Sequence, residues 1–555
     1  MIDRAGVRAW RDQDPDPATV AALDDLVARA DSGDETAATE LADAFAGRLQ
    51  FGTAGLRGPL GPGPNRMNRV TVGQAAAGLS RYLVDHGLAG GRVIIGYDAR
   101  HNSDVFAADS AEILAAAGFR PLLTDAPVPT PVAAFGIKHF DCVAGIVVTA
   151  SHNSAADDGY KVYLGDGSQI VPPADTEIAA RIDEVAAASL SRVPRSQTYQ
   201  RIGSELITAY LNRAAGLNDQ SGPHELRWVY TPMHGVGGSV VHQLITRTGF
   251  SKPIVVAEQA DPDPDFPTLP FPNPEEPGAL DLAIAAAEVS DAELVVANDP
   301  DADRCAVAVP TADGWQMLRG DQLGALLADD ALRRNVPGTY ACSIVSSSLL
   351  RAMARDHGHP FRYTLTGFKW IGRVVDLGFG YEEAIGYCVD PVAVADKDGI
   401  TALVRVLSMA STLRAEGRTL TDRLDDLAAR YGVYDTDQLT VRVQDPKIIA
   451  DAMAQLRADP PDALAGQPVT VRDLADGVDL GDDGVLPPTD GVLFEGESIK
   501  VVVRPSGTEP KLKVYLESRV PTQDRTIDQA HHESAEVLTR LRQEMAAALG
   551  VGDAL

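Results

Sequence analysis

The sequence predicts an α/β protein of several domains that ends in an α+β segment. Three observations predict it. The 555 residues exceed what one hydrophobic core organises, so about three or four domains are expected. Short apolar runs alternate with helix-like runs over most of the chain, the pattern of βαβ units around largely parallel sheets. The last portion departs from that pattern, with strand-like runs at 438–443 and 498–503 and one long helix-like run at 527–548.

The elements follow in order. Residues 92–97 (RVIIGY) read as a buried strand, 105–117 as an apolar-periodic helix closed by Gly118, and 121–123 as a strand. A Pro-rich turn leads to a strand at 145–148. The pattern restarts at 228–230, 253–256 and 294–297, and again after Trp315 with a helix at 321–332 and a strand at 343–345. No fixed-period repeat is visible. Domains are expected at 1–203, 204–316, 317–432 and 433–555.

The composition, 45% hydrophobic and 23% charged, is that of a globular chain. A net charge of −29 argues against nucleic-acid or anionic-membrane partners, which need basic surface. It leaves a phosphorylated substrate open, because a pocket can be locally basic. Cys142, Cys305, Cys342 and Cys388 lie far apart, which points to a reducing compartment with no disulfide or zinc framework. No signal peptide and no apolar stretch of about 18 residues is visible, so a cytoplasmic protein is expected.

Four loops carry the chemistry. In TASHNS (149–154), Ser151 ends an apolar strand and is followed by His152 and Asn153, a plausible seat for a nucleophilic hydroxyl. An ordinary Ser/Asn turn is the plainer reading. In NDPDADR (298–304), Asp299, Asp301 and Asp303 alternate between two apolar strands and can converge on a hard cation. Arg304 and Pro310 occupy positions where a calcium hand needs Gly and Glu, so Mg²⁺ fits better. Asp261-Pro-Asp-Pro-Asp265 has the same spacing but reads as a rigid loop. In the third loop, Glu382 and Glu383 can accept bonds from sugar hydroxyls, Phe368 can supply an apolar face, and Lys369 and Lys397 can hold phosphate. The alternative is a solvated charged loop. In RPSGTEP (504–510), Arg504, Ser506, Gly507 and Thr508 form an anion cradle, with Lys511 and Lys513 on one face of the next strand. A Ser-Gly hairpin turn would leave that cluster of cations unexplained.

These four loops, in this order, resemble the α-D-phosphohexomutase superfamily across nearly the whole chain. The resemblance implies four domains around a central cleft, three of them related mixed-sheet α/β units and the last α+β. It makes Ser151 a phosphorylated nucleophile that also faces the metal, and gives Mg²⁺ to Asp299, Asp301 and Asp303. It places Arg57, in FGTAGLRG (51–58), beside the phosphoserine. Lys161, ten residues after Ser151, becomes the candidate general acid/base, titrating near neutrality, with His152 the lesser candidate. Substrate contacts fall on Arg304, Gly367, Phe368, Lys369, Glu382, Glu383, Lys397, Arg504, Ser506, Gly507, Thr508 and Lys513. Segments TPMHGVGG (231–238), TGFKWIG (366–372), EEAIGYCVD (382–390) and DKDG (396–399) are similar to the branch with bacterial phosphoglucomutases and phosphopentomutases.

The implied reaction interconverts sugar 1-phosphate and sugar 6-phosphate through a sugar bisphosphate, which also serves as activator. Glucose phosphate is expected first, with mannose phosphate next. A phosphopentomutase, a sugar-bisphosphate synthase and an idle sugar-phosphate-binding protein are the alternatives. The expected assembly is a monomer or weak homodimer. Many hexose-specific relatives carry serine two residues after the sugar-loop glutamate and often histidine after the next glycine. This chain has Ile385 and Tyr387 there, so hexose selectivity is expected to be relaxed.

Overall fold

In a computed structural model, the chain is described over residues 3–219, 221–443, 445–506 and 511–550. Four sheet-centred domains follow one another, and they group into two compact units. The first comprises Met1–Met317 with Asp390–Ser411, the second Leu318–Val389 with Thr412–Leu555.

The first unit opens with helices Arg4–Arg11, Pro17–Asp31 and Glu35–Ala44, capped by Asp3, Asp16 and Asp34, whose carboxylates accept from backbone N–H groups of the first turn. Val7, Trp10, Leu23, Leu26 and Leu41 pack these helices onto Val70 and Leu190 of the first sheet domain. That domain's sheet runs Leu56–Pro59, Asp157–Leu164, Cys142–Val148, Arg92–Tyr97, Arg120–Thr124, Gln200–Ile202. The last four strands are parallel, Asp157–Leu164 returns antiparallel to them, and Leu56–Pro59 pairs antiparallel with Asp157–Leu164. The second sheet repeats the plan. Ile254–Val255, Trp228–Thr231 and Leu294–Ala297 are parallel, and Ala306–Thr311 returns antiparallel beside Gly314–Met317. The parallel strands are almost continuously apolar, as strands covered on both faces must be.

The second unit holds a third sheet of the same kind. Phe361–Thr364, Thr339–Ser343 and Leu377–Glu382 are parallel, and Gly386–Cys388 returns antiparallel. Its last domain is an antiparallel sheet of Val433–Arg442, Lys511–Val520, Ile499–Pro505, Val492–Glu495 and Thr470–Asp473. Leu538, Leu541 and Met545 of helix Ile527–Ala548 and Met453 and Leu456 of helix Pro446–Ala458 belong to that domain's core. Three α/β domains and a terminal α+β domain are therefore present, as the sequence predicts.

Two readings need correction. The strand expected at 343–345 is Thr339–Ser343, and Ile344 and Val345 sit in the turn after it. The Pro-rich turn before Cys142 contains a helix, Thr130–His139, because Pro131 at its second position carries the fixed φ a helix start accepts.

Within the second unit, the last domain holds the turn after Thr339–Ser343. Lys500 Nζ donates to the Ser346 carbonyl at 2.5 Å, and Glu517 accepts from the Ser348 N–H at 2.5 Å and from its hydroxyl. Lys500 and Glu517 are both buried, 3.9 Å apart. Glu517→Ala would leave the Lys500 ammonium buried and unpaired, which costs about 3–5 kcal/mol. A lower denaturation midpoint for this unit, read by urea titration, is expected, and an unchanged midpoint would show the pair to be dispensable.

Candidate active site

All four chemistry-bearing loops occupy the same structural position. Each joins one strand to its antiparallel return partner: Cys142–Val148 to Asp157–Leu164, Leu294–Ala297 to Ala306–Thr311, Leu377–Glu382 to Gly386–Cys388, and Ile499–Pro505 to Lys511–Val520. In the three α/β domains this is the carboxyl end of a parallel strand, where ligands of open α/β sheets bind.

In the first unit, Ser151 takes a left-handed backbone (φ 55°) and is almost fully buried. Its hydroxyl donates to Asp299 Oδ2 at 2.7 Å and lies 3.2 Å from His152 Nδ1. Burial, then the charges of Arg304 and Arg57, hold the His152 pKa well below its ordinary value. Arg57, on the strand Leu56–Pro59, reaches the Asn153 side chain at 3.4 Å.

Asp299, Asp301 and Asp303 are buried, and an oxygen from each lies within 4.8 Å of the others. Burial and the neighbouring Asp301 and Asp303 push the Asp299 carboxyl well up. Burial acts on Asp301 in the same sense, but Lys161 overrides it and keeps that carboxyl below the ordinary range. Lys161 Nζ donates to Asp301 Oδ2 at 2.6 Å and Asp303 Oδ2 at 2.9 Å. Asp301 Oδ1 and Asp303 Oδ1 are buried with no hydrogen-bond partner. Orphaned buried carboxylate oxygens among three converging aspartates are the donor set a hard divalent cation requires, so the residues present fit Mg²⁺.

Burial lowers the Lys161 pKa, but in this metal-free structure Asp301 and Asp303 more than compensate and raise it. One expectation needs correction. Lys397, expected with the sugar loop, belongs to the first unit and lies 3.4 Å from Asp303 Oδ2 and 3.6 Å from Asp396 Oδ1. Gly399 makes that approach possible, since a Cβ there would collide with the Arg304 carbonyl. Arg304 points its side chain back toward Asp303 (3.8 Å) and Glu275 (3.7 Å). Thr130, which the sequence did not single out, donates its hydroxyl to Asp301 Oδ2 at 2.6 Å and its N–H to the Asp301 carbonyl at 2.9 Å. Only its place in a Pro-Thr-Pro start to a helix hints at a fixed loop.

In the second unit, Glu383 accepts from the hydroxyls of Ser343 (2.9 Å) and Ser346 (3.1 Å), and Glu382, the last residue of the preceding strand, is buried. Gly320 lets the Glu383 backbone pass close by, because a Cβ there would overlap the Glu383 carbonyl. Arg504 pairs with Lys513 in the hairpin register, and Ser506 N donates to the Lys511 carbonyl at 2.7 Å. The Tyr515 phenol is buried; burial and then the Glu383 charge raise its pKa, while Arg504 opposes them. Gly507 and Thr508 lie outside the described residues.

One side chain expected near substrate is in the core instead. Phe368 packs with Ala341, Ile371 and Cys388, so its ring is not presented for a sugar to stack on. It anchors a helical turn that starts at Gly367 (φ 102°), on which Lys369 remains partly exposed. Ile385 and Tyr387 are fully enclosed, with the Tyr387 hydroxyl donating to the Gly320 carbonyl at 3.2 Å. Ile385 is therefore held by packing in the core.

Comparison with known proteins covers the same four regions. Residues 48–189, 208–314 and 319–431 match phosphoglucomutase/phosphomannomutase alpha/beta/alpha domains I, II and III, and 439–535 match the phosphoglucomutase/phosphomannomutase C-terminal domain. The chain is 46% identical, over 460 residues, to a protein named "Probable phosphomannomutase" from Haemophilus influenzae, covering 82% of this chain and 93% of that one. It is 34% identical, over 593 aligned positions, to the human protein named "Phosphopentomutase", covering 96% and 94%. A phosphoglucomutase/phosphomannomutase family protein from Burkholderia thailandensis has the same fold, with a TM-score of 0.67 over 90% of this chain and 98% of that one, at 22% identity.

If the aspartates hold one divalent cation, Mn²⁺ titration followed by electron paramagnetic resonance should show one site, and Asp301→Asn should weaken it at least about tenfold. EDTA should abolish turnover and Mg²⁺ restore it. Full turnover in EDTA, or equal weakening from Asp261→Asn with the three aspartates intact, would refute the site.

Proposed function

The chain belongs to the phosphoglucomutase/phosphomannomutase family and is a phosphosugar mutase, and we propose that it interconverts glucose 1-phosphate and glucose 6-phosphate through a phosphoserine at residue 151. The observation that carries this reading is the Ser151 hydroxyl, buried at a strand end and 2.7 Å from Asp299, beside two aspartates with unpartnered oxygens.

The residues divide the work. In the first half-reaction the bond between Ser151 Oγ and phosphorus breaks as phosphorus bonds a sugar hydroxyl oxygen, and that hydroxyl loses its proton; in the second a sugar oxygen–phosphorus bond breaks as phosphorus bonds Ser151 Oγ, and the released sugar oxygen takes up a proton. Asp299, Asp301 and Asp303 would hold Mg²⁺, which would neutralise charge on the transferring group. Arg57, Arg304, Lys161 and Lys397 add positive charge around it. His152, 3.2 Å from Ser151 Oγ, and Lys161, on Asp301 and Asp303, are the two candidate proton carriers. The sugar bisphosphate turns, and its other phosphoryl group returns to Ser151 Oγ. Arg504 and Ser506, with Gly507, Thr508 and Lys513, take the phosphate that is not transferring. Glu382 and Glu383 accept the sugar hydroxyls, with Gly367 and Lys369 at the loop beside them. A bisphosphate such as glucose 1,6-bisphosphate would reload a Ser151 that had lost its phosphate to water.

A pentose phosphate is the second reading. The chain covers nearly the whole of a relative named phosphopentomutase, and a hydroxyl is missing at Ile385. A site with fewer donors leaves less unpaired when a substrate lacks a hydroxyl, so it discriminates less. Measured side by side, kcat/KM should be highest for glucose 1-phosphate, with mannose 1-phosphate and ribose 1-phosphate both turned over. Higher kcat/KM on ribose 1-phosphate would make the chain a phosphopentomutase.

Intact-mass analysis of purified protein should show one extra phosphate on part of the population, and Ser151→Ala should lose both that mass and turnover. A variant that keeps near-parental rates would remove Ser151 from the mechanism. Arg504→Ala deletes a charge-assisted phosphate contact worth about 1.5–3 kcal/mol, so KM should rise roughly 10- to 100-fold for both substrate isomers. An unchanged KM for either isomer would make the cradle a simple hairpin.

A further inference from the structure

Arg100 lies in the turn between strand Arg92–Tyr97 and helix Ser103–Ala116, and its side chain is almost wholly buried. Its guanidinium spans the loop that carries Ser151. Nη2 donates to the carbonyls of Ser151 (2.8 Å) and Asn153 (2.6 Å), and Nη1 to those of Ser154 (2.6 Å) and Asp157 (3.0 Å). Nε faces Asp98 Oδ2 at 3.3 Å. Asp98 is fixed in turn, with Oδ1 accepting from the Arg100 N–H at 3.0 Å and the Ser103 hydroxyl at 2.7 Å.

The other face of the guanidinium is covered by Phe266, with the arginine carbon 4.9 Å from the ring centroid. Phe266 is buried and follows directly on Asp261-Pro-Asp-Pro-Asp265, the loop whose spacing imitates the metal loop. That loop is tied back beside Arg100 by Asp265, whose carboxylate lies 2.8 Å from His101 Nε2. The imitation is thus explained by a different task.

The chemistry of the contacts is selective. Four inward-pointing carbonyls need a planar fork of donors, which a guanidinium has and an ammonium lacks. Ser151 sits at φ 55°, a conformation that a serine holds only when its surroundings over-determine it. The Thr149 hydroxyl oxygen, accepting from the Ser151 N–H at 2.9 Å, fixes one end of the peptide, and Arg100 fixes the other.

We propose that Arg100 is the positioning residue of the phosphoryl carrier, holding the Ser151 loop by its carbonyls so that Ser151 Oγ faces Asp299, and that Phe266 seals those bonds from water. The proposal rests on Ser151 being the carrier, which the phosphate mass of the parent protein tests separately.

The test uses the full-length protein with Arg100→Lys and Phe266→Leu. Lysine keeps the charge but cannot reach four carbonyls. Misplacement of a nucleophile by about 1 Å costs about 100-fold, so Arg100→Lys should lose about that factor in kcat. KM should stay within about twofold, because no substrate contact is removed. The rate at which glucose 1,6-bisphosphate phosphorylates Ser151, followed by intact mass, should fall in parallel. Phe266→Leu preserves the apolar cover but not the ring face, and should lower kcat about threefold to tenfold, again at constant KM. A folded Arg100→Lys protein with parental kcat and phosphorylation rate would overturn the proposal, as would a loss confined to KM. Should Arg100→Lys fail to fold, Phe266→Leu decides: a lower kcat at constant KM supports the proposal, and parental kcat overturns it. A parent protein that never carries phosphate on Ser151 would overturn the carrier reading and this one together, whereas a phosphorylated parent with an unaffected Arg100→Lys variant overturns this one alone.

Discussion

Three carboxylates buried within 4.8 Å of one another repel, and much of the first unit is arranged around relieving that repulsion. The compensating charges come from separate segments. Lys161 lies on the return strand of the Ser151 hairpin, Lys397 on the segment Asp390–Ser411, and Arg304 on the metal loop itself. Thr130 adds two hydrogen bonds from the start of a helix. Charge balance therefore pulls the nucleophile's hairpin, a helix N-terminus and a distant segment onto one loop. The Ser151 hydroxyl on Asp299 follows from that convergence. Two oxygens are still left over, on Asp301 and Asp303, and they mark where a cation belongs.

A second constraint is topological. A parallel strand that turns directly into an antiparallel partner leaves a short loop beyond the sheet's carboxyl edge, where backbone groups are not consumed by the ladder. Ser151, the three aspartates and Glu383 each occupy that position in a different sheet, and Arg504 occupies the matching turn of the last one. The repetition is one of backbone geometry. Sequence shows no period because the loops differ in length and chemistry, and only the strand–turn–return order is shared.

Much was legible because it depends on local pattern. The long terminal helix, the parallel strands at Arg92–Tyr97 and Leu294–Ala297, and the acidic loop follow from apolar periodicity and residue type. The resemblance carried the order of the four loops. Arg100 and Thr130 were not legible. Each acts on atoms far along the chain, Arg100 on carbonyls more than fifty residues away and Thr130 on a carboxylate 171 residues away. An Asp-Ala-Arg turn after a buried strand gives no sign of what the arginine will grip.

Phe368 marks the same limit from the other side. Beside Lys369 in the chain it read as a sugar contact, but packing placed it in the core. Lys161 read as a proton carrier, and the two carboxylates it meets come from another domain. The sequence by itself determined the kinds of group available, the α/β and α+β elements that carry them and the family to which the loops belong. Tertiary structure alone decided which charges meet, which aromatic and aliphatic side chains are withdrawn from solvent, and what holds Ser151 in its left-handed turn. The reason is that burial and charge pairing are set by neighbours distant in the chain, which no local pattern encodes.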